Sequence, residues 1–456
     1  MPDQGSLERH PSQRPHRAFS RDVGPISIVV LTILWGGLWL IIRPGGGSAA
    51  TVVGQWLGSQ AVLLMSVGLV LISSLPWVEG WFDGIDRAAI WHRRVMIAGM
   101  LLLLPHIALA TNPKPSGIGP ASGAIGLLGL LALVVWAVLP RWRSVTPALV
   151  RRLVGVVAAT RPAQALSHWL GGYDRWRALH RTTGLFVAAG FVHGLLDATA
   201  FGSPVLRWSY VAVGGCGLGF YLYRELLARH FAALHDYQVQ AVTALATDLT
   251  EISLRPLGRP LEFTAGQFAV LYLEAKDGWH RHPFTIASAP QETGIRVTVK
   301  ALGDFTTHIA ELVKPGMPAV VGGAHGRFDH RRGTDHQIWI AAGVGVAPFL
   351  SWIRAAAPGK LAGRVDFFCS TAGPGPFADE LTALAARHTG VRLHLVDSST
   401  QGRLDTATVL ATVATEPRQL SVFMCGPNQM LATFERELRA AGVPRRNVVR
   451  EYFDLR

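Results

Sequence analysis

Six apolar stretches occupy the N-terminal half of the chain, at about 25–42, 57–75, 91–110, 121–139, 179–198 and 207–227. Each is close to the roughly 20 residues that a helix needs to cross a bilayer. From about residue 235 the period changes. Tyr237–Val242 and Phe268–Leu273 alternate apolar and polar residues between Gly/Pro turns, which predicts antiparallel strands. From about residue 336 short apolar runs (Gln337–Ala342, Val365–Cys369, Val391–Val396, Ser421–Met424) alternate with helical stretches, the rhythm of a parallel α/β sheet. The expected fold is therefore multidomain. It has a polar tail (1–24), an all-α six-helix transmembrane bundle (25–230), an antiparallel β-barrel (234–333) and an α/β Rossmann-like domain (335–456).

Composition agrees with a buried or lipid-facing first half. Charged residues make up 16% of the 456, against roughly 25% in soluble proteins. The net charge of +13 comes from arginines clustered between apolar spans, so no nucleic-acid partner is expected; the lipid bilayer is. Arg9, Arg14, Arg17 and Arg21 precede the first span, and Arg141, Arg143, Arg151, Arg152, Arg161, Arg175 and Arg177 follow the fourth. The opposite connections carry little beyond Arg43, Lys114, Asp197 and Arg207. The positive-inside rule then places both the N-terminus and the chain after the sixth span in the cytoplasm of a multi-pass cell-membrane protein. The first span is expected to be retained, although Ser48-Ala49-Ala50 follows it in the manner of a signal-peptide site. Three cysteines (Cys216, Cys369, Cys425) are too few for a four-thiolate cluster and suggest no disulfide framework.

Four histidines stand out in the apolar half. His92 and His106 lie 14 residues apart on the third span; His180 and His193 lie 13 apart on the fifth. Those separations are roughly 20 Å along a helix axis. A single histidine in a span can simply hydrogen-bond a neighbouring helix. Two pairs at near-equal spacing, on spans running in the same direction, instead suggest two stacked metal sites. His92 would pair with His180 near the cytoplasmic face, and His106 with His193 near the outer face, each pair holding a b-type haem through neutral imidazole. Helical period poses a difficulty: 14 positions return a side chain to within about 40° of its start, whereas 13 leave it about 140° away. The fifth span is expected to bend, with Thr182-Thr183, Gly184 or Gly190 as the place. Arg93, Arg94, Arg177 and Arg181 flank the inner pair, either as propionate partners or as ordinary positive-inside residues. Phe186 falls between the two histidines of its span, where a ring can sit between haems or pack against a helix.

The soluble half carries its own candidate chemistry. In Arg281-His282-Pro283-Phe284-Thr285, residues 282 and 284 share one face of a strand. They offer an aromatic surface, a hydroxyl and a donor of the kinds a flavin needs, although an ordinary strand with a proline holds the same residues. Gly303-Asp304-Phe305-Thr306 precedes a helical stretch and suits an anion such as a pyrophosphate, with Gly303 and Thr306 as contacts; a plainly capped helix reads the same way. Gly343, Gly345 and Pro348 lie in a loop between a strand and a helix, as a phosphate-binding turn requires, but the loop is not a full G-x-G-x-x-G. Cys425-Gly426-Pro427 ends a later strand of the same sheet, where α/β ligands bind.

Together these residues resemble the ferric reductase / NADPH oxidase superfamily, a six-span two-haem cytochrome b fused to a ferredoxin-reductase-type FAD and NAD(P)H module. The resemblance runs from about residue 25 to the end and rests on the 14 and 13 histidine spacings and on the His282–Thr285 run. It implies FAD contacts at His282, Pro283, Phe284 and Thr285, a pyridine-nucleotide loop at Gly343, Gly345 and Pro348, and Cys425, Gly426 and Pro427 beside the nicotinamide. It also implies a flavin-covering aromatic at Phe453, which with Cys425 is the expected catalytic pair. Ser398 and Arg403 suit a 2′-phosphate, favouring NADPH slightly over NADH. The arginine often found after the strand that ends in Cys369 is absent, and Ser370-Thr371-Ala372 stands there. The implied activity is an NAD(P)H-dependent oxidoreductase passing electrons through FAD and the His92/His180 haem to the His106/His193 haem. The acceptor is open between O2, a ferric chelate and an extracytoplasmic redox protein. A flavin-free membrane module with packing histidines is the alternative.

Overall fold

The structure, a computed structural model, describes residues 23–73, 75–110, 117–138, 160, 173–228, 233–275, 278–357, 359, 361, 363–373 and 375–451. Arg9, Arg14, Arg17, Arg21, Arg141, Arg143, Arg151, Arg152, Arg161 and Phe453 lie outside the described residues. The chain divides into two compact units, one reaching to Leu226 and one beginning at Leu227, with Gly84–Asp86 grouped with the second.

The first unit is helical. It comprises α1 (Val23–Ile42), α2 (Ala49–Leu71), α3 (Pro76–Phe82), α4 (Ile85–Leu109), α5 (Gly119–Val138), α6 (Tyr173–His180), α7 (Thr183–Asp197) and α8 (Pro204–Leu222). Among the described residues four helices are long and apolar enough to cross a membrane, within α1, α2, α4 and α5. Of these, α2 is the most enclosed: 61% of its apolar window is buried, against 22%, 17% and 17% for the others. It is the central helix, and Met65 and Leu69 on it pack with Leu130 of α5, Val187 of α7 and Tyr221 of α8. Ser48 lies at its N-cap, its hydroxyl accepting from Thr51 N–H at 3.1 Å. The segment read as a possible cleavage site therefore opens a helix.

The expected fifth span is two helices rather than one. α6 stops at His180, Arg181 and Thr182 form a turn, and α7 begins at Thr183 with only 15 residues. The break falls at the Thr-Thr pair. The Thr182 hydroxyl donates to Leu179 O at 2.7 Å and Thr183 to His180 O at 2.5 Å, diverting carbonyls that a straight helix would use. Gly184 has a different role: a Cβ there would run into the ring of Tyr221, so it makes room for α8.

The second unit holds two sheets. The first is antiparallel, with β1 (Leu234–Ala246), β2 (Leu249–Pro256), β3 (Phe268–Ala275), β4 (Gly278–Thr285), β5 (Ile295–Lys300) and β6 (Pro318–His325) in the order β4-β3-β6-β1-β2-β5. An antiparallel bridge from Ile286 to Val297 draws the two edges together, so the sheet curls into a half-barrel around Ile252, Leu254, Leu271, Val297 and Val321. Two short helices, α9 (Asp304–Thr307) and α10 (Ile309–Leu312), follow β5.

The second sheet is parallel: β7 (His336–Ala342), β8 (Arg364–Thr371), β9 (Val391–Asp397), β10 (Leu420–Cys425) and β11 (Val448–Arg450), in the order β11-β10-β7-β8-β9. Around it stand α11 (Ala347–Ala355), α12 (Ala378–Ala385), α13 (Thr406–Thr412) and α14 (Asn428–Ala440). Its central strands are buried along their length, as parallel strands covered on both faces must be. Cys369 and Cys425 are buried thiols, and Cys216 is exposed on α8.

Candidate functional site

The four histidines form two facing pairs. The ring centroids of His92 and His180 are 6.3 Å apart and those of His106 and His193 are 6.2 Å apart, with ring planes inclined by 84° and 72°. Two imidazoles on opposite sides of one metal ion, each bonded at about 2 Å, have centroids roughly 6 Å apart, and both pairs match that span. The tautomers suit it as well. Nδ1 of His92 faces Gly68 O at 2.8 Å, Nδ1 of His106 faces Gly54 O at 2.8 Å and Nδ1 of His193 faces Gly119 O at 3.0 Å. A carbonyl only accepts, so each Nδ1 carries the hydrogen and each Nε2 keeps its lone pair. His180 is oriented differently, by stacking on Trp176 at 4.9 Å.

Glycines clear the space these rings occupy. A Cβ on Gly58 of α2 would lie 2.6 Å from Nδ1 of His106, and one on Gly123 of α5 would lie 2.9 Å from the ring of His193. The break after His180 also removes the periodicity problem, because the two histidines of the fifth segment belong to separate helices. Phe186 packs over Gly129 of α5. Arg181 pairs with Glu225 at 2.6 Å, and the Arg94 guanidinium lies 4.9 Å from the Trp91 ring centroid. Arg224, which follows α8, is a further cation at the end of the last apolar segment and was not singled out from the sequence. Its signal, an arginine at the end of the last span, is identical to that of an ordinary flanking residue.

In the half-barrel, His282–Thr285 lie on edge strand β4, paired with Phe268–Leu271 of β3. The structure brings the 303–306 loop onto this strand. The Phe305 ring lies nearly parallel over His280 at 4.1 Å and over His282 at 4.9 Å. His280, two residues before His282 and hence on its face of the strand, is a member of the site that the sequence reading missed. Thr306 Oγ1 accepts from Gly303 N–H at 3.0 Å and Leu302 N–H at 3.1 Å, so these two amides are engaged within the loop. The fit to a flavin rests on Thr285: its hydroxyl is buried without a protein partner, which an apolar core does not tolerate cheaply. A bound ring edge with a polar atom would satisfy it.

At the C-terminal edge of the parallel sheet, neighbouring strands β7 and β10 end in two loops that touch. Gly343–Val346 form a tight turn, with Gly343 at φ +56°, and α11 follows with Pro348 in its first turn. A Cβ on Gly345 would run into the carbonyl of Cys425, and one on Gly426 would lie 2.9 Å from Ala342 Cβ. The glycine loop and Cys425-Gly426-Pro427 are thus one wall. Cys425 itself is fully buried, and burial together with Glu451 pushes its thiol well above the usual range, so it is a protonated, packed thiol. Lys300, at the end of β5, reaches within 3.9 Å of where a Gly343 Cβ would stand and pairs with Asp248 at 3.3 Å. The sequence reading passed over this cation. Just past the edge strand β9, Ser398 donates to Thr371 O at 3.0 Å, and Arg403 is exposed a few residues beyond it. Asp397 lies beside them, its carboxyl held below the usual range by Ser399 and by backbone donors.

Comparison with known proteins agrees with this architecture. Residues 235–342 match a family described as an FAD-binding domain. An NADPH oxidoreductase of Mycobacterium tuberculosis is 29% identical over 194 residues, covering 41% of this chain and 51% of that protein. NADPH oxidase 1 of Mus musculus is 25% identical over 162 residues, 34% of this chain and 26% of its own. Ferredoxin–NADP reductase B of Sorangium cellulosum is 29% identical over 240 residues, 48% of this chain and 97% of its own. The chain spans 51% to 62% of the length of the first curated relatives it matches. These matches bear out the resemblance to the ferric reductase / NADPH oxidase superfamily, and the relatives are themselves named as an NADPH oxidoreductase, an NADPH oxidase and a ferredoxin–NADP reductase.

Proposed function

We propose that this protein is a transmembrane flavocytochrome b that carries electrons from NAD(P)H to an acceptor across the membrane. The observation that supports this most is the pair of facing histidine sets, 6.3 and 6.2 Å between ring centroids, on the same chain as an FAD-binding domain. When bound, FAD supplies hydride acceptance with one-electron release, and two haems supply one-electron transfer. His92 and His180 would hold the inner haem, His106 and His193 the outer one. His282, Pro283, Phe284 and Thr285 would orient the flavin, with Gly303 and Thr306 near its pyrophosphate and Phe453 over its ring. Gly343, Gly345, Pro348, Gly426 and Pro427 would shape the nicotinamide nucleotide site, Cys425 packing behind it and Lys300 facing phosphate. Ser398 and Arg403 would favour NADPH.

The proposed organisation keeps six spans over 25–230, the flavin domain at 234–333 and the nucleotide domain at 335–456, with both termini cytoplasmic. With a histidine pair holding each haem, the acceptor, whether O2, a ferric chelate or a redox protein, would take its electron without binding to iron. A reduced-minus-oxidised spectrum of the purified chain should show b-type bands for two haems. His106→Ala or His193→Ala should each remove one haem while NADPH-driven bleaching of the flavin survives. Wild-type protein without b-type bands overturns the reading in favour of packing histidines, and flavin bleaching lost together with the outer haem overturns the proposed order.

A further inference from the structure

The four histidines are not equivalent in what stands behind them. For His92 and His106, Nδ1 meets a backbone carbonyl. Nδ1 of His193 meets the Gly119 carbonyl at 3.0 Å and also lies 3.3 Å from Oδ2 of Asp197, one helical turn further along α7. Asp197 is only 7% exposed and ends that helix. Among the described residues no other carboxylate lies within salt-bridge distance of any of the four rings. Its placement is built in: a Cβ on Gly119, the first residue of α5, would run into the Asp197 carboxylate, so the glycine lets the acid lie against the helix end. An acidic residue near the end of an apolar segment is expensive, and is expected to carry a role.

We infer that Asp197 is a positioning residue that lowers the reduction potential of the outer haem; this rests on the bis-histidine haem reading above. The N–H of this ring is donated to Gly119 O, so Asp197 acts on it through its charge at 3.3 Å, and a negative charge beside the ring makes the opposite nitrogen, Nε2, a more electron-rich donor. Such a donor stabilises ferric iron relative to ferrous iron and lowers the reduction potential, since the second shell is one of the protein's means of setting it. His92 and His106 have the backbone carbonyl alone behind Nδ1 and no carboxylate beside it. The asymmetry therefore falls on the ring nearest the acceptor side of the proposed path. Asp197 touches neither substrate nor iron and acts through His193.

The test is a spectroscopic redox titration of the full, haem-loaded chain, wild type against Asp197→Asn, with the outer haem observed alone in a His92→Ala background. Two haems per chain should be retained by Asp197→Asn. The outer potential should move positive while the inner one stays, and the electron paramagnetic resonance signal of the outer low-spin ferric haem should change. Two haems with both potentials unmoved overturn the inference while leaving the haem reading intact; no haem in the wild type overturns the haem reading instead. Where Asp197→Asn fails to hold haem, Asp197→Glu is titrated: a shift confined to the outer haem supports the inference, and an unmoved pair overturns it.

Discussion

The hydroxyl of Tyr221 donates to the backbone carbonyl of Arg181 at 2.8 Å, closing from α8 the gap that the break between α6 and α7 opens. That carbonyl lies one residue past His180, so the bond holds the register of the His92/His180 pair. Interhelical hydrogen bonds of this kind contribute about 0.6 kcal/mol on average in a membrane protein. Tyr221→Phe should therefore leave the fold intact and lower thermal stability by a degree or two. It should also loosen the inner haem in preference to the outer one, as read by haem content after detergent extraction; equal loss from both sites would show that the bond does not set this register.

Thr285 offers a cleaner separation of binding from stability. Its buried hydroxyl lacks a protein partner, a situation that costs about 1–3 kcal/mol. Thr285→Val, nearly the same shape, should stabilise the flavin-free protein in thermal unfolding. FAD affinity should fall about tenfold, one hydrogen bond's worth at roughly 1.4 kcal/mol. A variant that binds FAD as tightly as wild type would remove Thr285 from the flavin site.

Gly345 is limited by space. Because an added Cβ would collide with the carbonyl of Cys425, Gly345→Ala must push the two loops apart, at a cost of about 1–3 kcal/mol for such overpacking. The KM for NADPH should rise, while FAD content and haem spectra stay as in wild type.

Glu251 gives a pH-dependent prediction. Burial raises its carboxyl above the ordinary 4.5, with Arg296 and Arg354 acting in the opposite direction. A raised acid binds its proton more tightly folded than unfolded. Its penalty on stability is therefore absent below the unfolded value and grows as pH rises through the folded one. Glu251→Gln should raise the unfolding temperature at neutral pH, and the gain should disappear as pH falls below about 4.5. A gain that persists in acid would point to packing instead of charge.

Much of this organisation was legible in one dimension because it depends on period and spacing. The strands at 237–242, 268–273, 337–342 and 421–424 all lie within observed strands, since alternation and short β-branched runs report directly on a pleated surface. Helix starts were harder to read. α2 begins eight residues before the expected 57, and α4 runs through Asp86, Arg87, Arg93 and Arg94, because hydropathy reports the apolar part of a helix and not its capped polar ends. The histidine pairs were found by spacing alone, but the ideal-helix assumption made 13 residues look awkward.

What the sequence by itself determined is on which kind of element each candidate residue sits: four histidines in apolar helices, His282–Thr285 on a strand, and Gly343 and Gly345 in a strand-to-helix turn. Periodicity and turn chemistry are local, so a linear reading reaches them. Only the tertiary structure decided who stands behind and beside those residues. It closed Gly345 against Cys425, stacked Phe305 on His280 and His282, and broke the fifth segment at a Thr-Thr pair capped from Tyr221. It also set Asp197 against His193 and the end of α5. Each of these contacts joins distant segments or depends on how two helices cross, and packing of that kind leaves no period in the chain to read.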